Sequence, residues 1–246
     1  MVGAVLEYEG RIIGEGYHQQ YGKAHAEVNC INSVSSENKQ YIPKSTLYVS
    51  LEPCAHFGKT PPCADFIIEN KILNVVIGCR DSFAAVNACL NDPVGQGKGI
   101  EKLKAGGVNV IVGVLKKECL ELNKRFFTFH QEKRPYIILK WAQSNDGKIA
   151  GESSSRLLIS NEFTNRLVHK WRSEEAAILV GTNTALLDDP SLTTRLWSGN
   201  NPVRLVIDME LKLPTQLKLF DGSTKTIVFN YLKKDDNELL HYHQLD

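Results

Sequence analysis

Two short pieces of this chain carry residue types that could do chemistry together: His25-Ala26-Glu27, and Pro53-Cys54 followed by Thr60-Pro61-Pro62-Cys63. One imidazole and two thiols are a zinc ligand set that leaves a fourth tetrahedral position open for water. Bound there, water loses a proton near neutral pH, and a neighbouring carboxylate can carry that proton to a leaving group. Glu27, two residues after His25, is placed for such a relay without having to be a ligand. A His, two Cys and a Glu in this order are a sufficient set of parts for hydrolytic deamination of a heterocyclic amine. Taken singly, a His-x-Glu or a buried cysteine is commonplace; the ordered combination is what carries the reading.

Local elements must hold these groups. Thr46-Leu47-Tyr48-Val49-Ser50-Leu51 has strand character, and Pro53 ends it, so that Cys54 falls at a strand end. Cys63 opens the periodic run Ala64, Ile67, Ile68, which predicts a helix whose positive end faces the thiolate. If His25 starts a helix, Glu27 lies in its first turn, with Cys30 and Ile31 packing behind. Upstream, Val2 to Leu6 and Arg11 to Gly14 flank Glu9-Gly10, a hairpin pattern. Gly16 to Lys23 is a polar loop that delivers His25, and His18 within it is either solvent-facing or part of the site.

Zinc deaminases usually space their cysteines as Pro-Cys-x-x-Cys, whereas here eight residues separate Cys54 from Cys63. The run Pro53-Cys54-Ala55-His56-Phe57-Gly58-Lys59-Thr60-Pro61-Pro62-Cys63, behind His25-Ala26-Glu27, closely resembles the deaminase domain of the bifunctional riboflavin-biosynthesis deaminase/reductase family. The resemblance implies hydrolysis of an amine on a diaminopyrimidinone ribosylamino 5'-phosphate, then NADPH reduction of the ribosyl group. It implies His25, Cys54 and Cys63 as zinc ligands, Glu27 as the catalytic acid/base, and His18, His56, Lys59 and Thr60 as substrate contacts. Against the family's usual extent both ends are abbreviated. A helix and a Pro-Asn-Pro loop that would precede Met1-Val2-Gly3-Ala4-Val5 are not in the sequence, which puts part of the pyrimidine pocket in question.

Composition is that of a globular chain: 246 residues, 42% hydrophobic, 23% charged, formal charge +1, enough for one large or two modest domains. The near-zero charge argues against a broad nucleic-acid-binding surface. No apolar run approaches the roughly 20 residues that span a bilayer, and no signal-peptide pattern opens the chain, so a cytoplasmic protein is expected. Of Cys30, Cys54, Cys63, Cys79, Cys89 and Cys119, the metal reading uses two; the rest are expected reduced.

Further along, Lys71 to Cys79 predicts a buried strand, Ile100 to Gly107 a helix, and Val108 to Val114 another strand. This alternation favours an α/β layered domain over residues 1–130. An insertion relative to the family lies around Cys89 to Gln96. Gly95-Gln96-Gly97-Lys98-Gly99 lacks the full nucleotide-loop pattern and is better taken as surface. Glu118 to Phe129 predicts one helix, whose Phe126, Phe127 and Phe129 are expected to pack across a domain boundary near Gln131 to Pro135.

The second domain, 135–246, is expected to open with the strand Tyr136 to Ala142. A helix from Asn161 to Arg172 follows, then a strand Ala176 to Val180 that ends in Gly181-Thr182-Asn183-Thr184. That ending can ring a phosphate or serve only as turn and cap. Leu139-Lys140-Trp141-Ala142-Gln143-Ser144-Asn145-Asp146-Gly147-Lys148-Ile149-Ala150, His169-Lys170-Trp171-Arg172 and Leu187-Asp188-Asp189-Pro190-Ser191-Leu192-Thr193-Thr194-Arg195 resemble the same family's dihydrofolate-reductase-like reductase domain. The resemblance implies substrate contacts from Arg172, Asp189, Leu192 and Arg195, the arginines on phosphate through their fixed fork. It implies cofactor contacts from Lys140, Ser144, Thr182 and Thr184. Asp208, after the strand Val203 to Ile207, is a further candidate strand-end site residue, Leu217 to Phe220 and Thr226 to Phe229 supply packing and strand material, and Tyr231 to Asp246 is a polar tail. The family's Gly-rich cofactor segment lies beyond this point, so little NADPH oxidation is expected of the chain.

The expected architecture is therefore α/β: a cytidine-deaminase-like three-layer α/β/α domain followed by an incomplete dihydrofolate-reductase-like domain. The expected function is a zinc-dependent pyrimidine deaminase with a reductase partner domain, acting on a small phosphorylated pyrimidine, with no nucleic-acid or membrane partner and with homo-oligomerisation left open. A nucleic-acid or nucleoside deaminase and a non-catalytic zinc-containing assembly protein are the alternatives.

Overall fold

The computed structural model describes residues 1–20, 22–57, 60–81, 98–149 and 159–245. Lys59, the Cys89 to Gln96 insertion and most of the Gly95 to Gly99 segment lie outside the described residues. The chain forms two compact units, Met1–Ile138 and Leu139–Asp246.

The first unit is built on a sheet of five strands in the order β2-β1-β3-β4-β5: β1 (Gly3–Tyr8), β2 (Arg11–Tyr17), β3 (Thr46–Leu51), β4 (Asn74–Cys79) and β5 (Asn109–Val112). β1 and β2 are an antiparallel hairpin turned by Glu9 and Gly10, both at positive φ (49° and 79°), the geometry that suits two-residue hairpins. β1 is also antiparallel to β3, whereas β3, β4 and β5 run parallel. Alternation fixes the register: Leu6 faces Leu47, which faces Val75, and Ala4 faces Val49, which faces Ile77. All six side chains are buried, and a one-residue slip would turn each of them to the opposite face.

Three helices complete that core: α1 (Ala26–Asn32), α2 (Cys63–Glu69) and α3 (Gly99–Ala105). Ala26, Cys30 and Ile31 of α1, Ala64 and Ile67 of α2, and Ile100 and Leu103 of α3 all enter one cluster, the i, i+3 and i, i+4 stripes of helices seated on a sheet. Each large aliphatic buried this way contributes about 1.5–3 kcal/mol relative to exposure. β2 is packed close against α1, for a Cβ on Gly16 would lie 2.3 Å from the Cys30 nitrogen and 2.7 Å from the Ala26 oxygen.

The region expected as one helix from Glu118 to Phe129 is two, α4 (Lys116–Leu122) and α5 (Lys124–Glu132), broken at Asn123. Asn123 is 2% exposed and turns its amide back onto the Cys119 carbonyl at 3.2 Å, a local bond that competes with helix continuation. Phe127 packs with Leu51 and Cys79 of the first unit, while Phe129 is exposed.

The second unit has a sheet in the order β6-β7-β8-β10-β9. Its strands are β6 (Ala177–Gly181), β7 (Val203–Ile207), β8 (Thr226–Asn230), β9 (Asp235–Asp236) and β10 (Leu240–Gln244). The first four in that spatial order are parallel and β9 is antiparallel to β10. α6 (Glu162–Glu174) starts where Asn161 accepts the Thr164 N–H at 2.9 Å, and α7 (Thr182–Asp188) follows β6 directly. Two expectations fail here. Tyr136 to Ala142 forms no strand, because no neighbouring strand pairs with it among the described residues. Conversely, the polar tail contains β9 and β10, with β10 held by full parallel pairing to β8 from Leu240 to Gln244.

Candidate metal centre and active site

The strand ends and helix starts of the first unit bring the three ligand types together. His25 is the cap residue of α1, Cys54 follows the end of β3, and Cys63 opens α2. His25 Nδ1 is 3.5 Å from Cys54 Sγ and 3.3 Å from Cys63 Sγ, and the three donor atoms lie within 4.8 Å of one another. Ligands about 2.0–2.3 Å from one tetrahedral zinc stand roughly 3.3–3.8 Å apart, so this donor set fits that ion in both chemistry and spacing. The Cys63 N–H also points at Cys54 Sγ (3.3 Å), and Cys54 O accepts the Ala64 N–H at 3.0 Å. The first turn of α2 is thereby tied to the Cys54 loop.

The electrostatics suit a cation. The Cys63 thiol, donating to Cys54, pushes the Cys54 thiol down to about 4. Cys63 in turn is held far above its ordinary range by that hydrogen bond, by burial and by the nearby Glu27. Its hydrogen bond with Cys54 raises His25. One thiolate thus forms readily, and a second beside it needs a positive ion to offset the repulsion.

Glu27 lies in the first turn of α1 and is 3% exposed. Burial raises its carboxyl to about 7, with the Cys54 charge adding to the rise and its own backbone N–H and His25 opposing it. A carboxyl poised near neutrality can both take and return a proton. His18 stands beside His25, ring centroids 5.2 Å apart and nearly perpendicular. Its Nδ1 lies 3.2 Å from the Ala24 carbonyl, an acceptor only, so Nδ1 donates there and, among the described residues, Nε2 stays available. His56 Nδ1 is buried with no hydrogen-bond partner among the described residues, as expected of a group that awaits a ligand. Thr60 is half-buried.

The second-unit residues divide. Arg172 on α6 donates to the Thr193 carbonyl at 3.1 Å and Arg195 to the Thr193 hydroxyl at 2.9 Å, so both guanidiniums meet at one loop. Asp189, at φ 39°, accepts the Lys218 N–H at 2.8 Å and its ammonium at 2.9 Å, and these bonds hold its carboxyl below the usual range. The Leu192 side chain is core, with Ala185, Val206, Leu213 and Leu219; at φ 52° it leaves only its backbone to a ligand. Thr182 donates its hydroxyl to the Ile207 carbonyl at 2.7 Å, and Ser144 closes a turn with the Lys148 backbone at 3.1 and 3.2 Å. Lys140 and Thr184 are exposed. Asp208, suggested by its place at a strand end, instead accepts the Lys212 and Leu213 N–H groups at 3.0 and 2.9 Å, a turn-forming role.

Sequence patterns gave no role to three further residues. Asn29 donates to the Tyr17 and Ala24 carbonyls at 2.8 and 3.2 Å, closing the loop that carries His18. His169, 5% exposed, accepts the Arg195 N–H on Nδ1 at 2.8 Å. Glu52 is buried directly before Pro53-Cys54. Asn29 and Glu52 sit within four residues of His25, Glu27 or Cys54, and that proximity was the available signal.

Comparison with known proteins agrees with this geometry. Residues 1–79 match the cytidine and deoxycytidylate deaminase zinc-binding region, and residues 135–243 match the RibD C-terminal domain. The riboflavin biosynthesis protein RibD of Aquifex aeolicus is 43% identical over 239 residues, 96% of this chain and 63% of that protein. That of Bacillus amyloliquefaciens is 40% identical over 237 residues, 96% of this chain and 60% of its own length. The crystal structure of a diaminohydroxyphosphoribosylaminopyrimidine deaminase/5-amino-6-(5-phosphoribosylamino)uracil reductase from Thermotoga maritima superposes with a TM-score of 0.87 at 39% identity, over 100% of this chain and 67% of that one. The chain spans about three fifths of the length of these curated relatives. With a cytidine-deaminase-like domain followed by a RibD C-terminal domain, matched in order and in structure along its whole length, the chain belongs to the RibD family of riboflavin biosynthesis proteins.

Proposed function

We propose that the first unit is a zinc-dependent deaminase in riboflavin biosynthesis that hydrolyses the ring amine of 2,5-diamino-6-(5-phosphoribosylamino)pyrimidin-4(3H)-one. The observation that carries the reading is the convergence of His25, Cys54 and Cys63 beside the buried Glu27. His25, Cys54 and Cys63 would hold the zinc, which supplies acidity by lowering the pKa of a water at its open position to about 7. Glu27 takes a proton from the attacking water and delivers it to the departing amine, so that ammonia leaves as the ring carbon gains its oxygen. His18 Nε2 and the unpartnered His56 Nδ1 are assigned to the pyrimidine and its substituents, with Lys59 and Thr60 on the same segment.

The second unit is read as the reductase domain, using NADPH on 5-amino-6-(5-phosphoribosylamino)uracil, with Arg172 and Arg195 on the 5'-phosphate. The loop at Thr193 supports that assignment, since two guanidiniums already meet there. Lys140, Ser144, Thr182 and Thr184 are assigned to the cofactor: Lys140 and Thr184 are exposed, and the Thr182 and Ser144 hydroxyls, which donate to the Ile207 and Lys148 carbonyls, keep lone pairs with which to accept. A cytoplasmic location accords with a small phosphorylated substrate, and no described helix is long and apolar enough to cross a membrane.

Incubation of the full chain with the diaminopyrimidinone phosphate, following ammonia and NADPH separately, tests both halves. Ammonia release that needs zinc supports the deaminase reading. Its absence in zinc-replete protein would remove it.

A further inference from the structure

Glu52 is the last residue before the Pro53-Cys54 loop and is 8% exposed. Its backbone N–H bonds the Cys79 carbonyl at 2.9 Å, carrying the β3–β4 pairing one step past the Leu51–Cys79 pair. Its carboxylate is divided between two other segments. Oε2 accepts the Asp81 N–H and Oε1 accepts the Ile100 N–H, each at 3.2 Å. The first donor lies just beyond β4 and the second in the opening turn of α3. On the far side of the same loop the Pro53 carbonyl rests against Gly99 so closely that a Cβ there would lie 1.9 Å from the oxygen. The chain entering Cys54 is therefore gripped by a strand, by a strand exit and by a helix start, with only Pro53 between the grip and the sulfur.

We propose that Glu52 is a positioning residue for the metal centre: by accepting the Asp81 and Ile100 N–H groups on separate oxygens it fixes the strand end from which Cys54 reaches the ion. The inference rests on the reading of His25, Cys54 and Cys63 as zinc ligands. Two inward-pointing N–H donors require two acceptors, which a carboxylate supplies and a carboxamide does not, since its NH2 would face one donor. The loop would then relax on one side, and Cys63, whose N–H is seated on the Cys54 sulfur, would move with it.

The test uses the full chain in its zinc-loaded form. Zinc content is measured first, then the rate of zinc transfer to a chromophoric chelator and the visible absorption of the cobalt(II)-substituted protein, both far below the unfolding temperature. Glu52→Gln is expected to weaken zinc retention about tenfold, the size of effect that supporting groups around a metal site commonly have, and to shift the cobalt bands. Glu52→Asp keeps two acceptor oxygens on a shorter stem and should fall between; it carries the same expectation if Glu52→Gln does not fold. Lys102→Met, which cuts the 2.7 Å Asp65–Lys102 ion pair between α2 and α3, serves as the control for mere loss of stability, with wild-type retention and bands. Wild-type zinc transfer and cobalt bands in the Glu52 variants would overturn the positioning role and leave the ligand reading intact. Wild-type protein without zinc, or zinc held at full occupancy after His25, Cys54 and Cys63 are all replaced by Ala, would overturn both.

Discussion

Cys63 directs its backbone N–H at the sulfur of Cys54, 3.3 Å away. The two thiols are thus coupled through the backbone as well as through any shared ion, and the start of α2 is placed by the residue it would help to form a site with. An eight-residue separation in sequence consequently costs nothing in precision at the centre.

Purified protein should carry about one zinc per chain. Replacing Cys63 with Ala removes a thiolate ligand together with its charge, and should weaken retention by at least an order of magnitude. Elemental analysis after dialysis against a mild chelator reads the difference. Unchanged occupancy in the variant would count against Cys63 as a ligand.

Glu27→Gln should keep zinc and lose ammonia release by roughly 100- to 10,000-fold, the usual scale for removing a general acid/base group. The substitution preserves the size of a side chain that is 3% exposed, so folding should survive. Equal zinc with undiminished turnover would end the assignment of Glu27.

These two expectations need only the ligand set and its spacing, which were legible in the sequence because chemistry restricts residue type so severely. The Glu9-Gly10 hairpin was legible from the two strand-like runs that flank a two-residue gap and from Gly10, which takes a positive φ at no steric cost, whereas the positive φ of Glu9 (49°) was not. Other features depend on partners far along the chain. Tyr136 to Ala142 has strand composition but no paired neighbour among the described residues, whereas Leu240 to Gln244, with its two histidines and a glutamine, becomes a strand because β8 offers a complete parallel ladder. Asn123 looks like an ordinary helical surface residue until its burial and its bond to Cys119 are seen. Glu52 was invisible as more than a charge because its partners, Asp81 and Ile100, are brought to it only by the sheet and α3.

The second unit should show an acid-labile link at Asp221. Arg204, fully buried on β7, donates to the Asp221 carboxylate at 2.8 Å and to the Ser223 hydroxyl at 3.0 Å. The hydrogen bond from Arg204 is the main cause that lowers Asp221 from 3.8 to about 2. A folded-state pKa below the unfolded one contributes stability that is present above about pH 4 and lost as pH falls through about 2. Asp221→Asn should lower stability at pH 7 by about 1 kcal/mol, a value discounted for exposure of the carboxylate, and the deficit should vanish toward pH 2. Thermal melts of both proteins across that range decide it. A pH-independent difference would mean that packing, not charge, links the pair.

Gly16→Ala should destabilise the first unit by about 1–3 kcal/mol, the scale of overpacking. The atoms in its way are backbone atoms of α1, at 2.3 and 2.7 Å, which cannot swing aside as a side chain would. Denaturant midpoints report the loss. A neutral effect would show that β2 can move away from α1 at little cost.

The division of the Glu52 carboxylate between Asp81 and Ile100 has an evolutionary corollary. Those two residues bracket positions 82–99, which include the stretch around Cys89 to Gln96 expected from the sequence to be an insertion relative to the family. With both brackets bonded to the same side chain, added length enters between fixed posts, and closing a segment twice as long costs only about 0.6 kcal/mol more. Lineages can therefore lengthen or shorten that stretch by insertion and deletion while the spacing of His25, Cys54 and Cys63 stays as it is. Variation in length among relatives should concentrate between these two posts, and a shortened version of the chain should keep its metal.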